Sequence, residues 1–446
     1  IDPRPMTSAH PAGGDLGDPR QPMRASIGGA VPSLYLALTL FLLTADLLFV
    51  SAGGIKLKYG YFLILGMWLF APRTMWEQGH SLLRRMPAYP LLVLVPVAIA
   101  VATSVNVRSS VGWALWLGFD VFTVVTVYAF LKTQRLSAES VQDATTWALG
   151  LMAIFGAIQF VCIFGFGFPI FNPQVHLDVF RLNGLSGWPH FLNIYSFLLL
   201  PIVFLRKRFS AATMAILALL IFVLAQSTAK TGWVLFVALA VLLLVFNRAA
   251  LVKKVVLIAV PLAVVALLLP LPTTQQSGPA LSGAEKIARF GANIAETTSV
   301  RDRILINTMG IKVWQKHPWF GVGPRAYDTY VFSRFDLELP GENKLDFENK
   351  LNAKNENIWI EFLAESGALA TFGFLLIVIR ALWVPRWRFA NPLQMGAWIA
   401  LVLYYAVSGQ VSQTGLLTIV YAVFGIYFYA RELPAGSGAA SQGDRA

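Results

Sequence analysis

The sequence predicts an all-α fold: a polytopic integral membrane protein of about twelve transmembrane helices, with one large extracytoplasmic loop that carries short helices. Two observations set this class. Of 446 residues, 57% are hydrophobic and only 13% charged, with mean hydropathy +0.63, against about 25% charged and roughly 45–50% apolar in soluble chains. The apolar residues also come in unbroken runs such as 255–271, not in alternation with polar ones, which excludes an outer-membrane β-barrel along with a soluble globular fold. A third observation, the placing of Lys and Arg, sets the orientation.

Residues 1–30 are rich in Pro, Gly and Ser and lack the apolar core of a signal peptide, so they read as a disordered cytoplasmic tail. The five residues before Met6 look like a cloning remnant. Residues 31–271 hold nine predicted spans, at about 33–52, 57–72, 88–105, 111–131, 146–168, 190–205, 211–226, 231–247 and 255–271. Residues 272–365 form the large loop, and 366–430 hold three more spans at about 366–380, 393–410 and 415–430. The remainder, 431–446, ends in a Gly/Ser/Ala-rich stretch and reads as a second cytoplasmic tail.

With the N-terminus in the cytoplasm, the cytoplasmic short loops hold fourteen Lys and Arg residues, among them Arg84, Arg85, Lys132, Arg135 and Arg206. The opposite short loops hold only Lys56, Lys58, Arg108, Arg181 and Lys230. That bias obeys the positive-inside rule and puts both ends in the cytoplasm. It also accounts for the net charge of +12 without nucleic acid, through topology and contact with membrane lipids. Cys162 is the only cysteine, so no disulfide forms within the chain. The five histidines have no zinc-motif spacing, and no metal or cofactor is expected.

The large loop carries eleven basic and twelve acidic residues, over half of the 23 carboxylates in the chain. A long loop of this kind is usually functional. Residues 301–317 have apolar positions at helical spacing, whereas 340–356 is polar and reads as a mobile segment. Four cations on the extracytoplasmic side are candidates for a site: Arg181, Lys230, Arg303 and Arg325. They are either ordinary solvated loop charges or a set that converges on a diphosphate, where guanidinium gives bidentate hydrogen bonds and ammonium a point charge. Asp46 and Asp120 fall within predicted spans and call for a partner or a wet cavity. The glycines of FGVGP, 320–324, make either a plain turn or one that presents N–H groups to an anion.

RILINTMGIKVWQKHPWFGVGPRAY (303–327) resembles a signature of the O-antigen ligase and polymerase superfamily: an Arg opening a helix, then a His-Pro-x-x-Gly-x-Gly turn. ENIWIEFLAESGALATFGF (356–374) is similar to its second signature, which ends in Leu-Ala-Glu-x-Gly ahead of a span. RLNGLSGWPHFLNIY (181–195) and STAKTGW (227–233) resemble its two earlier motifs. The resemblance implies an inner-membrane glycosyltransferase, metal-independent and inverting. Its donor is an undecaprenyl-diphosphate-linked glycan, its active site faces the periplasm, and in the ligase branch its acceptor is lipid A-core. Polymerase and protein-glycosylating branches share the architecture. A polytopic transporter is the competing class, but transporters place ionisable groups at the bilayer midplane within internal repeats, and here polar chemistry gathers in one loop.

Carried over to matching positions, the resemblance makes Arg181, Lys230 and Arg303 a diphosphate clamp, with Arg325 an addition. Where the family commonly shows His-Asn, this chain has Glu356-Asn357. Glu356 is either the base that accepts the acceptor hydroxyl proton or a carboxylate favoured at a helix N-terminus. His190, His317 and Asn357 are further candidates to line the site, His317 in a structural capacity.

Overall fold

The computed structural model describes residues 21–52, 55–85, 89–171, 173–176, 179–206, 209–227, 235, 237–242, 245, 298–334, 357–384, 389–408 and 414–434. Among them the chain is mostly helical. In order it forms α1 (Gln21–Thr44), β1 (Phe49–Ala52), β2 (Ile55–Lys58), α2 (Tyr59–Gly66), α3 (Pro72–Arg85), α4 (Tyr89–Ala102), α5 (Val107–Thr133) and α6 (Ala138–Phe166). Then come β3 (Gln174–His176), β4 (Val179–Arg181), α7 (Pro189–Phe204), α8 (Ala211–Gln226), α9 (Thr298–Lys316), α10 (Tyr327–Arg334), α11 (Ile358–Leu382), α12 (Pro392–Leu403) and α13 (Thr414–Ala430). The predicted span 255–271 lies outside the described residues.

Short polar caps fix where the helices begin. Asn106, Ser137, Ser210 and Asn391 each accept a backbone N–H three residues on, at 3.2, 3.0, 3.1 and 2.9 Å, starting α5, α6, α8 and α12. α6 stops at Gly167, whose φ of +66° permits the Phe168 N–H to reach the Cys162 carbonyl at 2.9 Å. Among the described residues, helices α5, α6 and α11 are long and apolar enough to cross a membrane, and seven shorter apolar helices accompany them. Their outer faces are apolar: Leu69, Leu115, Phe166 and Phe372 are all exposed, as expected where lipid replaces water.

Inside, α5 packs on α13, α4 on α11, α7 on α12, and α6 on both α1 and α8. Small residues permit close approach: Gly425 lies on Val127, Gly396 on Ile202 and Gly373 on Leu92. Polar side chains tie helices together where hydrocarbon would leave them unsatisfied. Thr418 donates to Asp120 at 2.6 Å, Gln142 to the Ile202 carbonyl at 3.1 Å and Asn391 to the Ala430 carbonyl at 2.7 Å. At one end Glu432 gathers Arg85 (2.5 Å), Lys132 (2.7 Å) and the Tyr128 hydroxyl (2.6 Å).

Three details differ from the sequence reading. The span expected at 33–52 stops at Thr44, and the chain turns into an antiparallel pair, Phe49 opposite Lys58 and Ala52 opposite Ile55. A second small pair, β3–β4, precedes the Arg181 loop, so among the described residues the mostly helical fold carries two short strand pairs. The span expected at 57–72 is α2 plus a 3₁₀ turn (Met67–Leu69), about 18 Å of rise, and α3 follows where a loop was expected. α3 buries only Met75, Gly79 and Leu82, a stripe too thin for a hydropathy window.

Candidate functional site

The best-defined part of the site is a joint between the FGVGP turn and the start of α11. Gly321 (φ +67°) and Gly367 (φ +76°) meet the opposing backbone where a side chain would stand: Gly321 against Glu365, Gly367 against Trp319. Both conformations are left-handed and open to glycine. The backbones then pair. Val322 N–H donates to the Ala364 carbonyl at 3.1 Å, Gly323 N–H to the Glu365 carbonyl at 2.9 Å, and Ala368 N–H to the Pro318 carbonyl at 2.8 Å. Non-helical dihedrals at Gly367 break α11 there.

The N–H groups of residues 321–323 go to backbone carbonyls, and two N–H groups just after the turn go to the side chain of the chain's own Glu365. Arg325 N–H donates to its Oε2 at 2.7 Å and Tyr327 N–H reaches its Oε1 at 3.4 Å. Glu365 is buried, so these contacts replace water that its carboxyl has lost. Arg325 itself is half-buried and held at φ +55°, a conformation sparsely populated by residues other than glycine. The start of α5 closes the other side: Ser110 Oγ donates to the Pro324 carbonyl at 2.6 Å, Ser109 Oγ to the Arg325 carbonyl at 3.3 Å, and Val105 N–H to Val322 at 3.2 Å.

His317 opens the turn. Its Nε2 and the Tyr330 hydroxyl of α10 are hydrogen-bonded at 2.9 Å, with the rings edge to face. Burial, reinforced by Lys316, pushes the imidazole below the usual histidine range, which favours the neutral ring. Burial together with Asp328 and Glu365 raises the Tyr327 phenol. His317 thus ties the turn to α10. Asn357 caps α11, its Oδ1 accepting from Trp359 N–H at 3.0 Å and Ile360 N–H at 3.3 Å.

The other two motif stretches also adjoin. After β4 ends at Arg181, the loop 182–188 is pinned to α6: Gln159 Oε1 accepts from the N–H groups of Asn183 (2.9 Å) and Gly184 (2.8 Å), and Gln159 Nε2 donates to Asn183 Oδ1 at 2.6 Å. Asn183 spans the loop to the Gly187 carbonyl at 2.9 Å. In α7, Asn193 donates to Ser227 Oγ at 2.7 Å, both residues being buried. Ser227 is the first residue of STAKTGW, so the Arg181 stretch and the Lys230 stretch are joined where the second begins. His190 lies one turn before Asn193, half-buried, its ring against Trp188 and Phe191.

Lys230 and Glu356 lie outside the described residues. Arg181 ends β4 and Arg303 stands in the second turn of α9, both described as backbone. Asp46 finds the partner its position calls for in Lys58, and Asp120 finds Thr418. Glu365 is the residue that sequence reasoning missed. Its signal was present in Leu-Ala-Glu-x-Gly, a carboxylate two residues before a glycine at the edge of an apolar run.

The helices, their apolar exterior and the polar joint at one end define a multi-pass membrane protein. Residues 213–375 match the family model described as O-antigen ligase, which supports membership in that superfamily. The matched stretch runs from α8 into α11 and contains the whole Gly321–Gly367 joint. No curated protein matches the chain.

Proposed function

We propose that the protein transfers a glycan from a polyprenyl-diphosphate carrier to lipid A-core at the periplasmic face of the bacterial inner membrane, as a lipopolysaccharide O-antigen ligase. The observation that carries this reading is the pairing of its motifs. The 303–327 and 356–374 stretches share one buried backbone joint, and the 181–195 and 227–233 stretches share the Asn193–Ser227 bond. Such joints set the register of four stretches that each carry a cation or a carboxylate, as placing charge against a developing diphosphate demands.

In this reading Arg181, Lys230 and Arg303, with Arg325 beside them, hold the diphosphate and stabilise the charge that grows on it as the anomeric bond breaks. Glu356 accepts the proton of the attacking acceptor hydroxyl, and attack opposite the leaving group inverts the anomeric centre. About twelve spans, with both termini cytoplasmic and 272–365 in the periplasm, complete the arrangement.

The test uses the full chain in nanodiscs with a labelled undecaprenyl-diphosphate-linked glycan and either lipid A-core or a second donor molecule. Product with lipid A-core supports the ligase reading. Product only with the second donor refutes it in favour of polymerase. Undiminished transfer by Arg303→Ala removes the clamp.

A further inference from the structure

Beneath the Arg181 loop lies a buried polar node for which the reaction above has no use. Lys58, the last residue of β2, sends its ammonium inward, where it pairs with Asp46 and lies 3.3 Å from the Leu43 carbonyl at the end of α1 and 3.4 Å from the Tyr195 hydroxyl. The Tyr195 hydroxyl is within 3.1 and 3.0 Å of the two Asp46 carboxylate oxygens. Lys58 and Tyr195 are buried and Asp46 is nearly so. Charges taken out of water are weak evidence for stability, because desolvation offsets their attraction, so the node is better understood through what it orders.

What it orders is the segment after α1. Leu47 N–H donates to the Leu185 carbonyl at 3.0 Å, and Gly187, at φ +72°, sits with its Cβ position 3.4 Å from Asp46 Cβ. Segment 45–47 is therefore one wall of the 182–188 loop, and Gln159 on α6 is the other. Lys58 and Tyr195 fix the first wall from two different elements, the β1–β2 hairpin and α7. The loop they confine begins at Arg181 and leads into His190.

We propose that Asp46, Lys58 and Tyr195 are positioning residues for the lipid-linked donor: they hold 45–47 against the 182–188 loop and so fix the backbone from which Arg181 reaches the diphosphate. This rests on the reading of Arg181 given above. Removing one buried charge alone endangers folding, so the test pairs Tyr195→Phe with the neutral double variant Lys58→Met/Asp46→Asn. Each is measured in nanodiscs for thermal unfolding, amide hydrogen exchange over 182–188, and donor KM and kcat.

The expected result is an unfolding temperature close to wild type, faster exchange over 182–188, and a donor KM raised about tenfold with kcat little changed, the effect of one charge-assisted hydrogen bond. Unchanged exchange in both variants overturns the proposal. So does faster exchange with unchanged KM, which assigns the node to local stability only. If the wild-type protein transfers nothing from any polyprenyl-diphosphate donor, the glycosyltransfer reading fails, while the exchange data still decide whether the node holds the loop.

Discussion

Glu365 accepts the backbone N–H of Arg325 at 2.7 Å across 40 positions of sequence, from a helix to a turn. The carboxylate occupies the concavity of N–H groups that a bound anion would fill elsewhere. These N–H groups are thereby spent on internal structure.

Replacing Glu365 should therefore act through the turn. Glu365→Ala leaves two buried N–H groups unanswered and is expected to cost about 2–4 kcal/mol and to abolish transfer. Glu365→Gln retains one carbonyl acceptor and should cost about half as much. Thermal unfolding in nanodiscs alongside the transfer assay checks both, and wild-type behaviour of the alanine variant would falsify the anchoring role.

The glycine pair makes a sharper contrast. Gly321→Ala or Gly367→Ala sets a methyl against backbone at a positive φ and should destabilise by about 3 kcal/mol or more. Gly118 in α5 has nothing within 4 Å of its Cβ position. Gly118→Ala should be neutral or stabilise by up to about 1 kcal/mol through helix propensity. Equal losses at all three positions would show that the joint is not special.

Asp120 tests whether a buried acid in the bundle takes part in chemistry. Asp120→Asn keeps an acceptor for Thr418 and should transfer at the wild-type rate, whereas Asp120→Ala removes that acceptor and should cost about 1–3 kcal/mol. A catalytic role would instead appear as lost turnover in the folded asparagine variant.

Acid should loosen the opposite end of the bundle. Burial works against ionisation of Glu432, but hydrogen bonds from Lys132 and Tyr128 and the charges of Lys132 and Arg85 prevail and hold its carboxyl below the ordinary value. A depressed pKa contributes stability that is fully present above the ordinary glutamate range, near pH 4.5, and is lost as pH falls through the folded-state value. Unfolding temperature against pH should lose this acid-dependent segment in Glu432→Gln, which costs about 1 kcal/mol at neutral pH. A pH profile identical to wild type would contradict the assignment.

Helix positions were legible because bilayer physics writes them into composition: the apolar runs at 111–131, 190–205 and 211–226 reappear as α5, α7 and α8. α3 was hidden because a helix lying on a neighbour needs only Met75, Gly79 and Leu82, with charges between. Hairpin β1–β2 was hidden because Phe49–Ala52 extends an apolar run whose end is set by a tertiary event, the burial of Lys58 against Asp46. The site divides in the same way. The proposed cations were chosen by sign and side alone, whereas Glu365, Asn193 and Gln159 act through backbone or amide contacts that no charge count reveals.

The Gly321–Gly367 joint has one more consequence. Since the chain leaves it after residue 327 and comes back to it at 364, everything between is an excursion whose two ends are fastened to each other. Such an excursion can lengthen, shorten or be exchanged at little cost to the rest, because closing a longer loop adds only about 0.6 kcal/mol per doubling. A change of length between the fastened ends therefore leaves the geometry of the joint itself in place, and the turn and the kink of α11 keep their register whatever the chain does in between.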